Sequence, residues 1–143
     1  MEYLELIYPQ TPLLPNDVPG RLAAKHLEVL ADGICDAVVL IFFERMRGAN
    51  ASAEWTARQL HKIEAGVTEL ARLIGKRVFA VGDTFGLGDI AAGTVLGYLT
   101  VRFSEFDWKT LYPSLSEYAS RLEQRPSFQN TIPYPQNITD KVV

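Results

Sequence analysis

Gly86, Gly88 and Ala91 fall in the order G-x-G-x-x-A shortly after the apolar tetrad Val78-Phe79-Ala80-Val81, and Asp107 follows at about 20 residues. That spacing could seat the pyrophosphate of a dinucleotide on a helix N-terminus and hold its ribose with the acid. The context argues against it. A dinucleotide unit needs a strand running straight into the first glycine and a second strand after the helix, whereas Gly82 to Phe85 intervene and Thr100 to Asp107 has no strand pattern. Asp89, inside the motif, would also point a negative charge at the phosphates.

The other reactive side chains carry less. Cys35, the one cysteine, cannot form an internal disulfide, and it lies in an apolar stretch without a basic neighbour to make a thiolate, so it reads as a packing residue. His26 and His61 have no carboxylate or cysteine at ligand spacing, and no metal site is expected. Arg45 and Arg47 could meet an anionic substrate or simply solvate a helix end. The Gly82–Ala92 stretch is better explained as a turn that starts a helix. Gly86 is the expected N-cap, Leu87 the first helical residue, and Asp89 the third, where its carboxylate can reach back to the Gly86 N–H and meet the positive end of the helix dipole. Phe85 before the cap is placed to pack on Ile90 as a hydrophobic staple.

The elements around that turn follow from hydrophobic spacing. From about Pro19 to Arg47, Leu27, Leu30, Ile34, Val38 and Ile41 keep steps of three and four, which predicts one helix roughly 40 Å long. A second line on it, Asp36, Val39, Phe43 and Met46, lies on a different face. Gly48-Ala49-Asn50 ends it, Ser52 caps the next helix, and Leu60, Ile63, Val67, Leu70 and Ile74 carry that helix to Gly75. The two long helices should pair antiparallel.

Val78 to Val81 has no partner strand and reads as a buried connector. In the helix beginning at Leu87, Ile90, Thr94, Val95, Tyr98 and Leu99 form one face. Gly93 and Gly97 would let a neighbouring helix backbone come close. Pro113 starts a further helix with Leu115, Tyr118, Ala119 and Leu122 inward, Arg125-Pro126 ends it, Pro126-Ser127-Phe128 starts one more turn, and Pro133 and Pro135 make the tail extended. Ahead of all this, Tyr3, Leu4, Ile7 and Tyr8 suggest the last turns of a helix, and Pro9, Pro12, Pro15 and Pro19 make residues 9–19 an extended linker. A domain seldom begins with a helix end and a connector, so a segment upstream is expected.

Composition narrows the class. With 143 residues, 48% of them hydrophobic, and a net charge of -3, the chain reads as one soluble domain with a real core. The acidic balance and lack of a basic stripe argue against nucleic acid. The longest apolar run, Ala37 to Phe43, is far short of the roughly 20 residues that span a bilayer. No basic-then-apolar leader opens the sequence, so a cytoplasmic location is expected and the sequons at Asn50 and Asn137 are chance matches.

Together these features resemble the all-helical C-terminal domain of cytosolic glutathione transferases. The residues that carry the resemblance are Ala31-Asp32-Gly33-Ile34-Cys35-Asp36 on a long helix, the Phe79-Ala80-Val81-Gly82-Asp83 turn with Asp89, and Tyr112-Pro113-Ser114-Leu115 through Arg125-Pro126-Ser127-Phe128. The likeness implies an all-α bundle of two long antiparallel helices plus three or four shorter ones. It makes residues 1–17 the last helix of a thioredoxin-like N-terminal domain and its linker, and residues 18–143 the helical domain. One departure is that Gly86 stands where the family usually has Ser or Thr, at a cost of a few tenths of a kcal/mol.

The family joins the glutathione thiolate to electrophiles, and it activates the thiol on the N-terminal domain. The resemblance therefore implies glutathione as co-substrate, no catalytic residue in this chain, and a chain inactive by itself. What the chain would supply is an apolar electrophile pocket, with Val39, Phe43 and Met46 facing it, and part of a homodimer. Asp36 matches an acidic residue that faces the γ-glutamyl amine of glutathione on the other subunit in several classes. The bland alternatives are a solvated carboxylate for Asp36 and plain core for Phe43. A non-catalytic interaction module of the same fold is the alternative function.

Overall fold

The computed structural model describes residues 2–136, which leaves the sequon at Asn137 and the end of the tail outside the described residues. Among the described residues seven α-helices follow one another: α1 (Glu2–Ile7), α2 (Val18–Met46), α3 (Ala53–Ile74), α4 (Leu87–Arg102), α5 (Trp108–Leu111), α6 (Pro113–Glu123) and α7 (Pro126–Gln129). No strand occurs among the described residues. Residues 78–81 are irregular, as their lack of a partner dictated, but the connector is not buried throughout. Ala80 is fully enclosed while Val78 is exposed.

Helix α2 starts two residues inside the expected linker. Asp17 is its N-cap and accepts from the Gly20 N–H at 2.7 Å, and Pro19 sits in the first turn, where its missing N–H costs nothing. At the other end Glu44, largely buried, accepts from the Ser52 N–H at 2.6 Å and from Arg47. The Ser52 hydrogen bond holds the Glu44 carboxyl below its ordinary value, with Arg47 adding to the effect. Ser52 in turn accepts from the Trp55 N–H as the cap of α3. One carboxylate thus sets the reversal between the two long helices.

These helices run antiparallel, since Glu44 meets Ser52 at one end while Ile34 and Leu30 lie over Gly66 further along. Helix α4 lies on α2 in the same direction as it, with Leu27 over Gly88 at one end and Arg102 stacked on Phe42 at the other. The core between them holds Ile34, Val38 and Ile41 of α2, Ile63, Val67 and Leu70 of α3, and Val95 and Leu99 of α4. Helix α6 closes it with Leu115, Tyr118 and Leu122. Trp108, on a short helix that the spacing did not reveal, is buried beside them and donates to the Thr100 hydroxyl at 3.3 Å.

The glycines four apart on α4 do something other than admit a helix backbone. A Cβ on Gly93 would fall 2.4 Å from the Phe128 ring, and one on Gly97 would touch Pro133, so the groove seats side chains of α7 and the tail.

Close packing of α2 on α3 gives opposite expectations for two helical glycines. A Cβ on Gly66 would lie 2.6 Å from Ile34 Cγ1 in a side chain with nowhere to move, whereas one on exposed Gly33 meets nothing. Gly66→Ala should destabilise the fold by about 1–3 kcal/mol despite its better helix propensity. Gly33→Ala should stabilise it by about 0.5–1 kcal/mol. Urea unfolding of the two variants checks this, and midpoints that shift in the same direction would contradict the packing described.

Candidate functional site

Helix α4 is apolar on two sides. One side, with Ala92, Val95, Leu96 and Leu99, enters the core. The residues expected to share that face are split by the structure: Val95 and Leu99 are buried, while Ile90, Thr94 and Tyr98 turn to a separate cavity of about 960 Å³. Its other walls come from Cys35 and Val39 of α2, from Phe85, from Phe128 of α7, and from Ile132 and Pro133 in the tail. The volume lies at the upper end for sites that take small organic molecules. Glu123 is the one charged side chain on the lining, it pairs with Lys109 at 3.9 Å, and no Lys or Arg lines the cavity among the described residues.

Stacking holds the Phe85 wall. The Phe85 ring meets Phe128 edge-on at 6.4 Å between centroids, and the Arg125 guanidinium lies 3.7 Å over the Phe85 ring. Phe85 and Ile90 both face the cavity, so the residue expected to staple the helix start also forms its wall.

Of the four residues singled out on α2, Val39 lines this cavity. Phe43, one turn further, is half-buried and edge-on to Phe42 at 5.4 Å, and Met46 is exposed at the end of the helix. Neither is among the lining residues. Asp36 is exposed on the same helix, one turn before Val39. Cys35 does line the cavity, and burial, with the nearby charges of Asp32 and Asp36 adding, pushes its thiol up to about 11. It is therefore protonated at neutral pH and unsuited to be a nucleophile. Sequence reasoning missed Thr94, Tyr98 and the α7-to-tail wall as lining. The signal available was the excess of apolar residues around α4, more than one core face can use.

Asp89 is the other chemically capable group, and its surroundings give it a structural role. It is 1% exposed. Its Oδ2 accepts from the Gly86 N–H at 2.9 Å, closing the expected half of the helix cap, and its Oδ1 accepts from the Ala80 N–H at 2.9 Å and from the Tyr118 hydroxyl at 2.6 Å. Burial and the adjacent carboxylate drive the Tyr118 hydroxyl far above its ordinary range, so it remains a donor at every pH the fold survives. A carboxylate with three donors and no opening to solvent is a structural joint.

Glycine at the cap also finds its reason here. The Leu87 N–H, one of the first-turn donors without a partner inside the helix, donates to the Leu13 carbonyl of the linker at 2.8 Å, and a Cβ on Gly86 would lie 2.6 Å from that same oxygen. The linker is fixed in turn by Glu5 of α1, which accepts from the N–H groups of Leu13 and Leu14.

Residues 53–121 match the sequence model of the family described as glutathione S-transferase, C-terminal domain. The chain is 60% identical to a glutathione S-transferase from Methylobacterium radiotolerans whose crystal structure contains glutathione sulfonate, with a TM-score of 0.97 over 99% of this chain and 68% of that one. It is 36% identical to a glutathione S-transferase from Methylobacillus flagellatus solved with glutathione bound, with a TM-score of 0.87 over 92% of this chain and 66% of that one. It is also 32% identical to the uncharacterised GST-like protein YibF of Escherichia coli, over 92% of this chain and 65% of that protein. The chain spans less than two thirds of the length of the curated relatives it matches.

The Asp89 joint makes a quantitative expectation. Asp89→Ala leaves the buried donors of Ala80, Gly86 and Tyr118 without a partner and should cost on the order of 3–5 kcal/mol, whereas Tyr118→Phe should cost about 1–2 kcal/mol. The double variant should be non-additive, because the two side chains share one bond. Denaturant unfolding of the four-member cycle checks this. An Asp89→Ala midpoint equal to that of the parent would show that the carboxylate is not holding the fold.

Proposed function

The chain belongs to the glutathione S-transferase family, and we propose that it acts as the C-terminal domain of a glutathione-conjugating enzyme, holding the electrophile while a thioredoxin-like domain activates the thiol. The observation that carries this reading is the cavity of about 960 Å³ on α4, walled by Val39, Phe85, Ile90 and Phe128 and without a cation on its lining. Such a site binds neutral apolar molecules, strips water from them and presents them to a thiolate bound outside it. The protonated thiol of Cys35 leaves that reaction to glutathione. Residues 1–17 are then the last helix of the thioredoxin-like domain with its linker, and residues 18–143 the helical domain. Phe43 and Met46 extend the apolar wall toward that neighbouring domain, in the cytoplasm of the cell.

The same reading gives Asp36 a partner. An exposed carboxylate on the outer side of α2 is free to meet the γ-glutamyl ammonium of glutathione held by a second subunit. Around it the first half of α2 leaves Val18, Leu22 and Val29 exposed, and α1 with the residue that follows it leaves Tyr3, Leu6 and Tyr8 exposed, a run of apolar surface that suits the N-terminal domain and a homodimer.

Three outcomes follow. The 143-residue chain alone should show background conjugation of glutathione to a chlorinated aromatic acceptor, and turnover comparable to that of a two-domain transferase would place thiol activation within it. In a two-domain form, Asp36→Asn should raise the KM for glutathione several-fold with little effect on that for the electrophile. An unchanged KM would return Asp36 to a solvated surface charge. Sedimentation of the chain alone should show weak, concentration-dependent self-association through the α1 and α2 surfaces, and a strict monomer at high concentration would contradict that use of them.

A further inference from the structure

Among the described residues three buried side-chain atoms have no hydrogen-bond partner: both polar atoms of Gln59 and the Nε of Arg125. A buried polar atom without a partner is unfavourable, so each marks a place that something else completes. Gln59 is fully enclosed in the core, out of reach of a macromolecule. Arg125 is only half-buried, and the other two nitrogens of its guanidinium are neither bonded nor enclosed. No other described arginine is in that state. Arg45, Arg47 and Arg72 pair with carboxylates, Arg77, Arg102 and Arg121 donate to backbone carbonyls, and Arg21 and Arg58 are exposed to water.

The guanidinium is also held in place, 3.7 Å over the Phe85 ring. A flat cation pinned on an aromatic face presents its edge in a fixed plane, and the parallel N–H groups of Nε and one Nη on that edge fit a carboxylate. No described carboxylate takes it. Glu123 is with Lys109, Asp89 has its three donors, and Glu5 of α1 holds the Leu13 and Leu14 amides. Beside the Phe85 platform runs the entry of the chain into the bundle. Leu13 shares a cavity wall with Phe85, its carbonyl is fixed by the Leu87 N–H, and α1 folds back on it through Glu5. A domain carried ahead of α1 is thereby brought to the side of α4 on which Arg125 lies.

We propose that Arg125, seated on Phe85, is an interdomain latch that receives a carboxylate of the thioredoxin-like domain ahead of α1 as a two-pronged ion pair. The carboxylate gives the buried Nε its acceptor and fixes the neighbouring domain against the start of α4. The inference rests on the reading of residues 1–17 as the junction with that domain, and it names the group that holds the two domains in register.

The test is urea unfolding of Arg125→Met and Arg125→Lys, each in the 143-residue chain and in a two-domain form. Met keeps an unbranched stem over Phe85 but offers no N–H, and Lys keeps the charge without the fork. Arg125→Met should lower the midpoint of the two-domain form by roughly 0.5–1 M and leave that of the chain alone within about 0.2 M. Arg125→Lys should recover part of the loss. One Asp or Glu of the upstream domain, changed to Asn or Gln, should give the same loss and add nothing when combined with Arg125→Met. Equal shifts in both forms would make Arg125 a brace for Phe85 alone and overturn the latch, as would an unshifted two-domain form or losses that add at every upstream acid. Stabilisation of the 143-residue chain by inorganic phosphate, abolished by Arg125→Met, would assign the site to a free anion instead. If the domains of the parent unfold independently, the junction reading and the latch fail together. Conjugating activity of the two-domain parent is measured in parallel, and its absence would contradict the enzymatic reading while the unfolding data still decide the latch.

Discussion

One buried carboxylate ties together the parts of this fold that the long helices do not. Asp89 receives a hydrogen bond from the connector at Ala80, from the helix cap at Gly86 and from α6 at Tyr118. Removing an ionised group from water is unfavourable unless its lone pairs are met, and here three donors meet them. Its position at the start of α4 places the same charge at the positive end of the helix dipole. The register of α4 against the rest of the bundle is consequently pinned at its first turn.

From that turn the order spreads in two directions. Toward the N-terminus, the Leu87 N–H takes the Leu13 carbonyl, Glu5 takes the next linker amides, and Leu14 packs with Ala24 and Leu87. The connection between α1 and α2 is therefore held against the bundle by backbone hydrogen bonds, and a side chain on Gly86 would push it away. Toward the C-terminus, α4 presents Val95 and Leu99 to the core and Ile90, Thr94 and Tyr98 to the cavity. A rotation of α4 about its axis would exchange core for cavity residues, so the Asp89 joint also fixes what the cavity is made of.

Much of this was legible in the residues themselves. The cap at Gly86, the Ser52 start and Gly75 end of α3, and the inward face of α6 are local matters of turn chemistry and periodicity, and the structure has them where the sequence put them. The Asp89 back-bond to Gly86 was legible for the same reason. Its bonds to Ala80 and Tyr118 were not, because one joins an irregular connector and the other crosses 29 positions. Trp108 escaped because a four-residue helix is too short to show a period. The place of Val39 on the cavity wall was readable from its line on α2, while the wall on α4 was not. An apolar helix with two used faces has no single hydrophobic direction, and a spacing of three and four assigns Thr94 and Tyr98 to the core as readily as to a pocket. The role of Gly93 was misread because the groove it makes is filled by the Phe128 ring, a contact that only the return of the chain through α7 creates.

The claim on which these relations depend is that the Asp89 joint is part of the cooperative core rather than a local turn. Native-state hydrogen exchange at the Ala80 and Gly86 amides tests it most directly, since both donate to the carboxylate although neither lies in a helix. Protection of both amides to the free energy of global unfolding, equal to that of the central amides of α3, is the predicted result. Exchange at the rate of the neighbouring loop amides, while α3 remains protected, would contradict it.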